Sequence, residues 1–139
     1  MRPAPNQLPI EPPVPRETLA ALRGELHTYL RVLWRSAPAL GDALPPADVD
    51  AGPARAQLRA GTLHLPAGVD VGHGQASPRD WYRAAATHAA AHRAYASQPL
   101  SRAGLGPMVQ AILGLLEDAR VEHLACRELP GLRRLWLRF

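Results

Sequence analysis

From Glu17 onward, large apolar residues recur at three- and four-residue steps: Leu19, Leu22, Leu26, Tyr29, Leu30 and Leu33. That period puts them on one face of a helix, which ends near Ser36-Ala37-Pro38. The stretch PALGDALPPADVDAGP has no sustained period and reads as a loop. Alternation returns from Thr62 to Leu65, within AQLRAGTLHLP, and predicts a short strand or the edge of a hairpin. A glycine-rich loop, AGVDVGHGQASP, leads to the next helix. Ser77 as N-cap, Pro78 at the first helical position and Asp80 in the first turn open it. It is expected over about residues 78–97, with Gln98-Pro99 as its stop. Pro107 opens a second long helix, over about 107–128, which Pro130-Gly131 ends. The tail LRRLWLRF follows as a further helix.

The pattern therefore predicts a mainly α protein: one small helical domain over 17–139 with a possible short β-hairpin. Residues 1–16 are punctuated by proline and form an extended or disordered arm. The length of 139 residues suffices for a single modest core. Alanine supplies much of the hydrophobic content and aromatics only 5% of the chain, so that core is thin.

Charge changes the picture little. All 16 basic residues are arginine, which together with the alanine and proline excess suggests a GC-rich coding sequence. The net charge of +4 permits an acidic partner. The arginines are nevertheless dispersed, apart from Arg133, Arg134 and Arg138, and no aromatic-interleaved basic motif accompanies them, which argues against nucleic acid. One cysteine, Cys126, excludes an intrachain disulfide and fits a reducing cytoplasm. No apolar run approaches the ~20 residues of a membrane span, and the first residues do not resemble a signal peptide. The expected location is cytoplasmic.

Candidate chemistry lies on the two long helices. Along the first, Trp81, Ala85, His88, Ala89, His92, Tyr95 and Ala96 form one stripe that reads as the buried face. His88 and His92 sit one turn apart on it, the spacing with which two imidazoles hold one zinc ion. Along the second, Met108, Ile112, Leu115, Leu116, Ala119 and Cys126 gather on one face, read as facing the core. Glu122 and His123 fall inside that arc, Asp118 lies at its edge, and Glu117 points away. Carboxylates aimed at a core need a cation, an arginine or a proton. Zinc bound by His88 and His92 would supply the cation, with one of Asp118 and Glu122 as third ligand and the other orienting an imidazole. An ion-pair network with Arg120, Arg83 or Arg93 would serve as well without metal. His27, His64 and His73 carry no spacing signal.

The segments LHLPAGVDV, DWYRAAATHAAAHRAYA and LLEDARVEHLACRELPGLRRLW together resemble the N-terminal region of the NorD-like proteins, over about residues 62–136. These are accessory proteins of nitric oxide reductase that contain a von Willebrand A domain, and the CbbO group is related to them. The most specific part is Glu117-Asp118-x-Arg120-x-Glu122 followed by Pro130-Gly131-Leu132. The resemblance implies an accessory role, with a MoxR-type AAA+ ATPase and a client metalloenzyme as partners. Members carry a C-terminal von Willebrand A domain with an Asp-x-Ser-x-Ser motif. That motif does not occur here. The chain thus reads as the N-terminal part of a longer protein or a stand-alone remnant, and the apolar end at Leu135, Trp136, Leu137 and Phe139 is read as docked on the core, covered by a partner, or used in self-association.

The same helix pair is similar to a degenerate zincin. Zinc peptidases use His-Glu-x-x-His, whose glutamate is the general base, and an acidic ligand from a later helix. His88 and His92 match the ligands by position, Asp118 or Glu122 the third, and Ala89 stands where the glutamate belongs. The expectation is a non-catalytic accessory domain, with or without a vestigial metal site. The alternative is a metal-dependent hydrolase that uses a non-standard base such as Glu122.

Overall fold

A computed structural model describes residues 17–43, 56–71, 77–95 and 103–139. The first helix, α1 (Leu19–Trp34), starts where the Thr18 hydroxyl accepts the Ala21 N–H at 3.3 Å. Its buried face is the leucine stripe Leu19, Leu22, Leu26 and Leu30. The chain then forms strands β1 (Ala39–Asp42), β2 (Gln57–Arg59) and β3 (Thr62–Leu65). Helix α2 (Pro78–Tyr95) begins with the Ser77 hydroxyl accepting the Asp80 N–H at 3.1 Å. Two further helices, α3 (Pro107–Glu128) and α4 (Gly131–Trp136), follow. The protein is mainly helical with one small sheet.

Thr62–Leu65 forms a strand and makes the expected hairpin with β2; the sheet order is β1-β3-β2, with β1 parallel and β2 antiparallel to β3, so it is also the central strand. One expectation about the strands needs correction. The ALGD stretch read as loop is itself a strand. It carries one large apolar residue and its partner is distant in sequence, so no local period announces it. Arg59 pairs with Thr62, which leaves Ala60 and Gly61 as a two-residue turn, both with positive φ (47° and 79°). Opposite His64, Gly41 is closely packed, and a larger residue would push the His64 and Thr62 side chains aside by a few tenths of an ångström. A Cβ there would lie 3.0 Å from His64 Nδ1 and 3.2 Å from Thr62 Cγ2.

Helix α2 is central. One side, with Tyr82, Ala86, Ala89 and Ala90, packs with the α1 leucines and with Leu63 and Leu65 of β3. Another side presents Ala91 to Val121 and Ala125 of α3 and Leu132 of α4. Alanine at these positions lets helices approach closely while each contact buries little area. Thr87, fully buried, donates to the Arg83 carbonyl at 2.7 Å and accepts the Trp136 indole N–H at 3.0 Å. That bond holds the end of α4 against α2.

The orientation of α3 also differs from expectation. Its inward residues are Val121 and Ala125. Met108, Ile112, Leu115 and Leu116, assigned to the core from their shared face, are 75%, 50%, 69% and 62% exposed, and Ala119 is exposed with them. Periodicity identified an apolar face; it could not say that a narrower stripe of small residues would be the one buried. In the tail, Leu132 is buried and Leu135 and Trp136 are half-buried, while Leu137 and Phe139 stay exposed. The expected arm at 1–16 and the residues around the predicted stop at Gln98-Pro99 lie outside the described residues, as does His73.

Candidate metal centre

The histidine stripe of α2 lies between its two packed sides. His88 and His92 are half-buried, with their rings 4.7 Å apart between centroids. Asp118 and Glu122, one turn apart on α3, face them. His92 Nε2 is 2.9 Å from Asp118 Oδ1 and 3.1 Å from His88 Nε2. His88 Nε2 is 3.8 Å from the same Asp118 oxygen. These three atoms form a compact triangle with sides of 2.9, 3.1 and 3.8 Å. The point equidistant from them lies about 1.9 Å from each corner, against the ~2.0–2.2 Å of zinc bonds to imidazole nitrogen or carboxylate oxygen. His88, His92 and Asp118 can therefore hold a metal ion. These three residues would hold the ion, and it would supply Lewis-acid chemistry there.

Glu122 has another task. Its Oε1 is 3.1 Å from His88 Nδ1, so the carboxylate accepts the Nδ1–H and leaves the Nε2 lone pair of the neutral ring facing the triangle. This outer carboxylate is the usual partner of a ligating histidine. Without an ion the same geometry also closes as a hydrogen-bond network. His92 Nε2–H is then shared between Asp118 Oδ1 and the His88 Nε2 lone pair. The side chains are 27–47% exposed, so an ion can reach them from solvent.

The arginines that were to neutralise the acids are occupied elsewhere. Arg120 forms a bidentate pair with Glu117, at 2.7 and 2.8 Å, and donates to the Tyr95 carbonyl. Arg83 pairs with Glu25 of α1 at 2.6 Å and lies over the Tyr29 ring. Arg93 is exposed. Among the described residues no arginine pairs with Asp118 or Glu122; their cationic neighbours are the two imidazoles. His123 is exposed and outside the cluster, His27 is exposed, and His64 bonds the Asp42 carbonyl oxygen through Nδ1 at 2.9 Å.

A cleft of about 440 Å³ opens beside the cluster. His88, His92 and Glu122 form part of its wall, and Leu58, Leu63, Trp81 and Trp136 supply apolar surface. Ala89, 8% exposed, lines it with a methyl group and brings no proton acceptor. Two features here escaped sequence reading. The Trp136 ring packs edge-on to His88, 6.0 Å between centroids, and the β2–β3 hairpin forms a wall. Nothing in the tail's own pattern ties it to the histidines. Cys126 is half-buried beside α4; burial raises its thiol pKa first, Glu122 adds to the rise, and Arg133 partly opposes it. It is a poor nucleophile at neutral pH. No helix of the described residues is long and apolar enough to cross a membrane. Comparison with family models, curated proteins and solved structures finds no match to this chain.

Proposed function

We propose that the chain is a non-catalytic, zinc-binding accessory domain of the NorD-like type, which assists maturation or activation of a metalloenzyme together with a MoxR-type AAA+ ATPase. The observation that carries the metal half is the triangle of His88 Nε2, His92 Nε2 and Asp118 Oδ1, with sides of 2.9 to 3.8 Å. Two imidazoles and one carboxylate suit zinc in charge and softness. Among the described residues no arginine pairs with Asp118 or Glu122, which favours a metal over an ion-pair network. The accessory half rests on the sequence resemblance over residues 62–136 and on Ala89, which leaves metal-bound water without an adjacent base.

The test is metal content after purification without chelator, compared with a His88→Ala/His92→Ala variant. One zinc per chain in the wild type and none in the variant is the expected result, with a lower melting temperature for the variant. Absence of stoichiometric zinc or iron from the wild type, with equal melting temperatures, would end the metal reading. A destabilised variant with no metal in either protein would establish the bare network instead. For the partner half, the chain should change the ATP hydrolysis rate of a purified MoxR-type ATPase; no effect and no complex at micromolar concentrations would remove it.

The cleft favours one second reading, a metal-dependent hydrolase with an apolar substrate. Glu122 is the non-standard base that reading needs, and its engagement with His88 Nδ1 counts against it. Turnover of peptide or ester substrates by the zinc-loaded chain, abolished in Asp118→Ala, would raise this reading above the first.

A further inference from the structure

The most apolar face of α3 is turned to solvent. Met108, Val109, Ile112, Leu115 and Leu116 are 75%, 46%, 50%, 69% and 62% exposed, while the same helix buries Val121 and Ala125. At 100° per residue these five side chains span an arc of roughly 120° that points nearly opposite to Val121 and Ala125. No charged residue occurs from Ala103 through Leu116. An apolar arc of this size, wholly uncharged, is a surface that association covers.

We propose that this face pairs with the same face of a second copy, as an antiparallel two-fold helix pair centred on Ile112. The five residues expose on the order of 500 Å² per copy, so self-pairing that covered them fully would bury at most about 1,000 Å², the lower end of specific interfaces. Charge sets the direction. In an antiparallel pair, residues equally far before and after Ile112 meet, so Met108 packs on Leu116 and Arg120 falls beside the uncharged Gly104. A parallel pair would instead bring the two charged C-terminal halves of α3, residues 117–128, side by side. The two-fold arrangement is closed, because one patch meets itself and no further apolar arc of α3 is left over. In this register the start of the partner helix, Pro107, lies opposite Glu117, so Asp118 and Glu122 fall beyond the helical overlap.

The full chain is measured by light scattering and sedimentation between about 1 and 100 µM. A dimer is expected, with Ile112→Glu and Leu115→Glu shifting it to monomer by at least a hundredfold in dissociation constant. Both side chains are solvent-facing in the single copy, so helicity and melting of the monomer serve as a check on folding. In a Cys126→Ser background, Ile112→Cys should form an oxidised dimer far faster than Leu137→Cys. A wild type that stays monomeric at 100 µM overturns the proposal. So does a dimer that survives Ile112→Glu, or one that only Leu137→Glu disrupts, which would place the interface on the C-terminal tail.

Discussion

Single residues decide what the cluster can do. Asp118 contacts both imidazoles, whereas Glu122 meets only His88, and only at Nδ1. Removing them should therefore have different effects on zinc affinity. Asp118→Ala deletes a ligand. Glu122→Ala leaves the ligands but frees the His88 ring to rotate and change tautomer, which is expected to weaken binding by about 10–100-fold. Competition with a chromophoric chelator measures both, and equal losses would mean that Glu122 is a ligand. A second residue-scale case is Tyr82, whose buried hydroxyl donates to the Pro66 carbonyl at 2.8 Å. Burial raises its pKa, with the Leu19 backbone partly opposing. The folded state thus holds its proton more tightly than the unfolded state does. Its contribution to stability is complete below pH ~10, the usual tyrosine value, and is lost as pH rises through the higher folded pKa. Tyr82→Phe should cost about 1 kcal/mol at neutral pH, by denaturant titration, and should soften that alkaline decline.

At the scale of elements, turns and caps were more legible than faces. Ser77-Pro78 and Pro107 marked the starts of α2 and α3 because their chemistry is local: a hydroxyl over the first turn and a ring already at helical φ. The pairing of β1 with β3 was invisible, since four residues with one leucine depend on a partner more than twenty residues away. The apolar period of α3 was read correctly as a face and wrongly as the buried one, because Val121 and Ala125 fit against Ala91 and the bulkier arc does not. The histidine spacing could be read on its own helix. That Asp118 spans both rings while Glu122 meets one depends on how α3 is rotated, which no spacing reports. The β2–β3 turn offers an element-scale test. Ala60 adopts a left-handed backbone at φ 47°, where a Cβ is strained. Ala60→Asn gives the Asn-Gly pair that such turns prefer. It should raise stability by a few tenths to about 1 kcal/mol; a neutral or lower melting point would show that Ala60 carries no strain that asparagine relieves.

For the molecule as a whole, the arrangement concentrates its dependence on α2, which touches α1, β3, α3 and α4. Its neighbours on the α3 side are small, so close approach there is more sensitive to added volume than to lost volume. Ala91→Leu is expected to destabilise by about 1–3 kcal/mol or displace α3. Displacement would also separate Asp118 from the histidines, so the variant should lose metal affinity and stability together; retention of full affinity would mean that the cluster is positioned independently of this packing. Trp136 sits where these effects converge. Its indole N–H is tied to Thr87 on α2, and its ring lies edge-on to His88. The placement has an optical consequence. A protonated imidazole quenches a neighbouring indole more strongly than a neutral one does. With Trp34→Phe and Trp81→Phe removing the other two emitters, the remaining fluorescence becomes a built-in gauge of the state of His88, readable during a titration with acid or with metal and without any added dye.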